Sequence, residues 1–359
     1  MAPSNSSTDS HYEFFGPTLG PLTLILTLPV TILVICLFAR PPTSPLSLDT
    51  YFSPSAALVL LAFLALQVIL HLALPGEIAR GIPPHNLPYK LTGLKNFVIT
   101  VAVAVYCGFA VPPTSPLYLN LSYLYDNYVQ LMASSVVFST LLSIYLYRRS
   151  FHPSAVLAEE GSRTGCVVYE FFLGRELNPR VGSLDLKEFC ELYPGLIGWI
   201  VLNLGMAHKQ VQLSGAVSPS MILVNVFQAI YVLDSLVFER AILTTMDITT
   251  DGFGFMLAFG DLAWVPFTYS LQTRWVLDQL GLNGERSDPF APCNFDTSLL
   301  NISFDRSLAR SPGCSWRTRP RCLRFSLASS SCSKWWDTPR SGAPTRKKTS
   351  SGGIPRTPG

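Results

Sequence analysis

The sequence contains few charged residues for its length. Only 14% of the 359 residues are Asp, Glu, Lys or Arg, and the formal net charge is +3, whereas about 25% of the residues in a soluble protein are charged. Hydrophobic residues make up 48% of the chain, so too few charges remain to cover a soluble core. This composition excludes a cytosolic globular enzyme, a nucleic-acid-binding protein and a wholly disordered protein.

The chain also lacks the common motifs for metal and nucleotide binding. None of its eight cysteines forms a C-x-x-C pair, and it has only five histidines, which argues against a zinc site. No G-x-G-x-x-G or G-x-x-x-x-G-K-[ST] sequence is present, so a soluble type of nucleotide-binding fold has no support. We therefore expect neither a bound metal ion nor a separate nucleotide-binding domain.

Long apolar runs are the dominant feature that is present. About 20 uncharged residues are enough to cross a membrane as a helix, so these runs predict an all-α, polytopic membrane bundle with about seven spanning helices. The first run has no basic start and is too long for a secretory signal. The seven runs cover residues 14–39, 51–76, 97–125, 127–147, 192–208, 210–233 and 252–272.

The charges between the runs predict an orientation and a division of the chain. Placing the N-terminus in the cytosol puts most loop Lys and Arg residues on the cytosolic side, as the positive-inside rule requires. We expect an N-terminal tail at residues 1–13 and a membrane domain at 14–275. Residues 276–359 are basic and rich in Ser, Arg and Pro, and residues 303–359 have no helical or strand period. This composition predicts a disordered, low-complexity tail at 276–359.

Three carboxyl groups in or beside apolar sequence are the candidates for chemistry. An ionised carboxylate in hydrocarbon costs at least about 2.5 kcal/mol, and apolar sequence flanks Asp261 on both sides. Asp247 and Asp251 are four residues apart and would share one face of a helix. Two nearby, desolvated carboxyls would raise at least one pKa and leave a proton donor at neutral pH. The Thr and Gly residues around this pair also fit an alternative, in which both side chains cap helices in an aqueous loop.

The charged segment at residues 165–199 permits two interpretations. Tyr169 and its neighbouring phenylalanines could enter the membrane interface, while Arg175, Glu176 and Arg180 could bind anionic groups. Alternatively, the segment is an amphipathic interfacial loop with ordinary ion pairs. The residues alone favour the second interpretation without excluding the first.

Two of these segments carry a family resemblance. The run YEFFLGRELNPR at 169–180, followed by DLKEFCELYPGLIGW, resembles a signature of the sterol reductase family, which includes sterol C14, C7 and C24 reductases and the lamin B receptor. The run TTMDITTDGFGFMLAFGDLAWVPFTYSLQ at 244–272 and the pieces LPGE and LPYKLTGL are similar to the C14-reductase and lamin B receptor branch. The resemblance covers about residues 14–274. Glu170 departs from it, since the family usually has Asp there.

The resemblance implies an NADPH-dependent delta(14)-sterol reductase in the membrane of the endoplasmic reticulum. Such an enzyme reduces the C14–C15 double bond of a sterol: an acid of the protein protonates C15, and NADPH gives a hydride to C14. An alkene is a weak base, so the acid must lie in a dry site, and nearby carboxylates or aromatic faces must stabilise the cation. The expected catalytic residues are Asp247, Asp251 and Asp261, and the expected substrate-binding residues are Trp264, Tyr269 and Tyr169.

The resemblance does not extend to the NADPH-binding segments of the family. Members carry a W-G-x-x-R-x-x-N-Y-x-G-D-like segment and an R-x-x-R-D-x-x-C-x-x-K-Y-G-like segment there, and nothing after Arg274 resembles either one. The cofactor-binding positions are therefore unassigned. A second hypothesis follows, in which the chain is a truncated, catalytically inactive member that acts as a sterol-binding or scaffold protein in the membrane lipid.

Overall fold

The computed structural model describes residues 15–38, 50–82, 86–158 and 164–282. All of them belong to the first of the two units into which the chain divides, Met1–Phe295. The predicted tail at 276–359 falls almost wholly outside the described residues. The helices are α1 (Leu19–Phe38), α2 (Pro54–Ala73), α3 (Gly93–Val105), α4 (Ser122–Asp126), α5 (Tyr128–Arg149), α6 (Val167–Leu173), α7 (Leu186–Cys190), α8 (Gly198–Ser214), α9 (Pro219–Val237), α10 (Glu239–Ile242), α11 (Met246–Thr249), α12 (Phe255–Phe259), α13 (Val265–Tyr269) and α14 (Leu271–Leu282).

Five helical stretches among the described residues are long and apolar enough to cross a membrane. They confirm the prediction of a mainly helical membrane protein, whereas the number seven stays a prediction. α1 contributes a shorter apolar stretch, Leu19–Ile35, and the run at 252–272 forms the short helices α12 and α13. The five stretches are Pro54–Ala73, Gly93–Ala110, Tyr128–Arg149, Leu186–Ser214 and Pro219–Val237.

The boundary between the fifth and sixth runs differs from the prediction. Lys209 does not end a helix, because its ammonium pairs with Asp126 at 2.8 Å from within α8. The break comes at Gly215, whose φ of +78° closes α8 in the left-handed conformation that favours glycine. Ser218 then caps α9, its hydroxyl accepting from the Met221 N–H, and Pro219 follows as the first helical residue.

Two π-helical turns face each other inside the bundle. The first, Glu191–Ile197, joins α7 to α8 and contains Pro194, which has no N–H for the helical ladder. The second, Gly260–Trp264, joins α12 to α13. The turns touch where Gly195 meets the backbone of Asp261, and a Cβ at Gly195 would lie 2.9 Å from the Asp261 carbonyl oxygen. Such turns widen a helix locally and redirect its side chains. Each of the two turns carries one carboxyl residue, Glu191 in the first and Asp261 in the second.

Two short antiparallel hairpins complete the described fold. β1 (Glu77–Arg80) pairs with β2 (Pro88–Leu91), and Glu77 lies opposite Leu91. β3 (Arg180–Val181) pairs with β4 (Leu184–Asp185), with Arg180 opposite Asp185. Asp185 also caps the following helix, since its carboxylate accepts from the Lys187 and Glu188 N–H groups at 3.1 Å each. This cap fixes the start of the stretch that carries Lys187 and Glu191.

Candidate active site

A close crossing of two loops brings distant sequence segments together. Gly174, with φ +95°, follows α6 and lies directly against the backbone of Gly252 and Gly254. A Cβ on any of these three glycines would overlap backbone atoms of the other loop. The Phe253 N–H also donates to the Glu176 carbonyl at 2.9 Å. The loop before α12 is therefore held beside the loop before β3, which places residues 247–251 next to the start of α7.

Lys187 provides a buried positive charge at this junction. Its side chain is 1% exposed, and its Nζ donates to the Leu177 carbonyl at 3.1 Å and to the Asp251 carbonyl at 2.6 Å. A buried ammonium needs hydrogen bonds and opposite charge nearby. Four carboxylates supply that charge: those of Asp185, Asp251, Asp247 and Glu191.

Asp261 joins this group from the second π-helical turn. Its carboxyl lies within electrostatic range of Glu191, Asp247 and Lys187, and Glu191 is its strongest charged neighbour. The structure thus brings all three predicted catalytic residues, Asp247, Asp251 and Asp261, close to Glu191 and Lys187, and we call these five residues the carboxyl cluster. Sequence reasoning missed Glu191 and Lys187, although their spacing of four residues on a helix predicts a shared face.

Asp247 lies in the first turn of α11 and is half-buried. Burial raises the pKa of its carboxyl, the negative charge of Asp251 raises it further, and Lys187 opposes both effects. Desolvation favours the neutral form of an acid. Asp247 therefore keeps its proton to a higher pH than an exposed aspartate does.

Asp251 contributes both its backbone and its charge to the cluster. Its carbonyl accepts from Lys187, and its carboxylate accepts from the Thr250 hydroxyl at 3.1 Å. It is half-buried in the loop that crosses Gly174. The predicted catalytic role of Asp251 stays a prediction, and the geometry gives this residue a clear part in fixing the loop.

A cavity of about 460 Å³ opens beside the carboxyl cluster. It lies between the end of α9, the helix α10 with the residue Thr245 that follows it, and the two π-helical turns. Glu191 and Asp261 are among its lining residues, and the exposed Tyr231 and Phe238 stand at its rim. An apolar molecule in this cavity would therefore meet two half-buried carboxyl groups, which are the kind of acid that protonation of a weak base requires.

The three predicted aromatic residues lie elsewhere. Trp264 packs against Phe259 with ring centroids 6.5 Å apart, and Tyr269 stacks on Trp199 at 4.8 Å. Tyr169 is buried in the hydrophobic core. None of the three is among the described residues that line the cavity, so their role in substrate binding stays a prediction.

The arginines of the segment at 165–199 form ion pairs. Arg175 pairs with Glu170 at 2.6 Å, and Arg180 pairs with Asp185 at 3.1 Å. Glu170 also accepts from the Gly165 N–H at 3.1 Å, so the longer arm of Glu reaches both partners. This arrangement corresponds to the second interpretation of the sequence, an interfacial loop with ordinary ion pairs.

The ion pairs of Arg175 and Arg180 limit how well this segment can bind a dinucleotide. Its phosphates require free cations or a row of backbone N–H groups. In the segment at 165–199, both arginines are already matched by carboxylates, and Lys187 is held by carbonyls. The part of this segment that the structure describes does not fit the phosphates of NADPH. The described ranges also contain no cluster of three His, Cys, Asp or Glu residues that could hold a metal ion.

These features define a helical membrane protein with a carboxyl-rich site beside a cavity, and comparison with known proteins identifies its family. Residues 13–281 match the Ergosterol biosynthesis ERG4/ERG24 family. The delta(14)-sterol reductase LBR of Gallus gallus is 42% identical over 287 residues, which cover 77% of this chain and 44% of that protein. The delta(14)-sterol reductase TM7SF2 of Mus musculus is 42% identical over 285 residues, covering 76% and 66%. The delta(14)-sterol reductase of Neurospora crassa is 38% identical over 314 residues, covering 76% and 63%.

The chain belongs to the ERG4/ERG24 family, which confirms the resemblance seen in the sequence. It spans about two thirds or less of the length of these three curated relatives. The matched region contains both π-helical turns, the crossing loops and every residue of the carboxyl cluster.

Proposed function

We propose that this protein is a delta(14)-sterol reductase that uses NADPH to reduce the C14–C15 double bond of a sterol. It works as a multi-pass protein of the endoplasmic reticulum membrane, with seven spanning helices and a cytosolic N-terminus. Family membership and the names of the relatives support this activity. The observation that carries it is the placement of Asp261 and Glu191 on facing π-helical turns, both lining one cavity.

The carboxyl cluster is suited to the proton half of the reduction. Two carboxyls that repel one another in a poorly hydrated site share a proton rather than ionise together, so the pair Asp261–Glu191 retains one acidic proton. That proton passes to C15 of the alkene, and the π-bond electrons form the new C–H bond. Loss of the proton leaves both carboxylates ionised, and their negative charge stabilises the cation at C14. The Lys187 ammonium offsets part of that negative charge.

The hydride half needs a reductant, and NADPH supplies a hydride for C14 when it is bound. Because the segment at 165–199 does not fit the phosphates, we assign no hydride-transfer step to it. The paired arginines also favour the second candidate function, a family member that binds sterol without reducing it. Both candidates use the same cavity and differ only in turnover.

Expression of this chain in a yeast strain that lacks sterol C14 reductase tests the proposal. Sterol profiling should show that the wild-type chain restores C14-reduced sterols and that Asp261→Asn and Glu191→Gln do not. Asp234→Asn is the matched control, because Asp234 lines the same cavity but is exposed, and it should behave as wild type. Accumulation of C14-unsaturated sterols despite normal expression of the wild-type chain would refute the reductase. Crosslinking of a photoreactive sterol to that inactive chain would then support the binding function.

A further inference from the structure

A second cavity, of about 660 Å³, lies at the C-terminal end of the membrane-spanning helix α5. It shares no lining residue with the cavity beside Asp261. Its walls come from the last turn of α5 and from the turn that follows, which includes Phe151, His152 and Ser154. Phe151 is fixed in place by the Arg175 guanidinium, which lies 4.2 Å from the centre of its ring.

The charges around this second cavity favour an anionic ligand. Arg148, Arg149 and His152 line it, and Glu176 is the one carboxylate among its described lining residues. Glu176 is already neutralised by Arg149 at 3.2 Å. Arg148 is exposed and has no carboxylate partner within the described ranges. A guanidinium in this state is a ready partner for a phosphate group.

The polar groups beside Arg148 can add to this binding. The His152 Nδ1 and the Ser154 hydroxyl lie 2.8 Å apart, and the Ser154 N–H donates to the same ring nitrogen at 3.3 Å. These contacts fix the orientation of the imidazole and hold the Ser154 hydroxyl near it. A phosphate held by Arg148 would thus find further hydrogen-bonding groups on the next turn of chain.

An exposed, mainly apolar stripe leads along α5 to the same arginine. Its residues recur at helical spacing, so they occupy one face of the helix. All of its residues are exposed. The apolar residues come first along the helix, and the arginine lies at the end of α5, where it lines the second cavity. The stripe consists of Val137, Leu141, Ile144, Tyr145 and Arg148. Tyrosine near the end of a membrane span is typical of the headgroup level of the bilayer.

We infer that this second cavity binds the phosphate headgroup of an anionic glycerophospholipid, with one acyl chain lying along the α5 stripe. A free phosphate would use Arg148, His152 and Ser154 but would leave the stripe unused. The continuous apolar path that ends at the cation therefore favours a lipid over a soluble phosphate. Basic pockets at the membrane surface that collect anionic headgroups are a general feature of membrane proteins. The inference is independent of sterol reduction.

The test uses the full chain in nanodiscs of phosphatidylcholine with increasing amounts of phosphatidic acid. Spin-labelled phosphatidic acid reports the fraction of lipid that is immobilised on the protein. Arg148→Gln should weaken this binding by about fivefold, the effect of one basic residue near a membrane surface, and Arg148→Lys should restore most of it. Arg80→Gln is the matched control, since Arg80 is also exposed but lies on β1, and it should bind as wild type.

Two outcomes would overturn the inference. One is equal immobilisation of phosphatidic acid by the wild type and by Arg148→Gln, when circular dichroism shows that both proteins are folded. The other is displacement of the labelled lipid by millimolar inorganic phosphate as completely as by unlabelled phosphatidic acid, which would assign the cavity to a soluble phosphate. Introduction of a charge by Leu141→Glu should reduce lipid binding while leaving inorganic phosphate binding unchanged, and failure of this separation would count against the acyl-chain path.

Discussion

The crossing of Gly174 with the loop before α12 gives a quantitative prediction. Gly174 has φ +95° and ψ 143°, a region that costs a residue with a side chain about 1–3 kcal/mol. A methyl group there would also overlap the backbone of Phe253 and Gly254, and overpacking costs about 1–3 kcal/mol more. Gly174→Ala should therefore lower the free energy of unfolding by about 2–6 kcal/mol.

Gly182→Ala is the matched control for this prediction. Gly182 also has a positive φ, +63°, but a Cβ there meets nothing within 4 Å, so only the conformational cost of about 1–2 kcal/mol applies. The loss of unfolded-state entropy on changing Gly to Ala is common to both variants and cancels in the comparison. Denaturant unfolding in detergent micelles, followed by tryptophan fluorescence, measures both. Equal destabilisation by the two substitutions would refute the close crossing of the loops.

Three further predictions concern the charges. Lys187→Met should lower the free energy of unfolding by about 3–5 kcal/mol, because it leaves buried carboxylates without a neutralising cation. Lys95→Met, at an exposed position, should change it by less than about 0.5 kcal/mol. The denaturant unfolding assay described for Gly174→Ala measures both variants. Asp247→Asn should match the wild type in stability at acid pH and exceed it as the pH rises. The reason is that the raised pKa of Asp247 makes the folded wild type less stable once this carboxyl ionises, whereas Asn cannot ionise. A difference in unfolding free energy between variant and wild type that stays constant with pH would contradict this. Glu170→Asp introduces the usual family residue and should lower the free energy of unfolding by about 1–2 kcal/mol. The shorter side chain cannot reach both Arg175 and the Gly165 N–H. Unchanged thermal stability would show that one of the two contacts is enough.

The sequence predicted most of the membrane architecture because the bilayer imposes a simple length and polarity requirement. The runs around 51–76 and 127–147 correspond to α2 and α5. The helical stretch that corresponds to the third run ends at Ala110, before Pro112. The break near residue 209 was misplaced because a lysine with an aspartate partner can remain inside a helix. Only the left-handed conformation of Gly215 marks the true end of α8.

The site was predicted only in part, for reasons of three-dimensional contact. Asp261 was identified because a carboxyl in apolar sequence is costly, and that argument concerns one residue at a time. Glu191 lies in a charged segment and gave no such signal. It lies within electrostatic range of Asp261 because the π-helical turn that contains Pro194 and Gly195 packs on the turn that carries Asp261. Periodicity at 3.6 residues does not predict such turns.

The proton-donor role of the carboxyl cluster is tested most directly by reduction of the sterol in deuterated water. If the pair Asp261–Glu191 supplies the proton, the wild-type chain should place one deuterium at C15, and the double variant Asp261→Asn/Glu191→Gln should leave the sterol unreduced. Reduction by the double variant at the wild-type rate, with deuterium at C15, would show that the proton comes from another group.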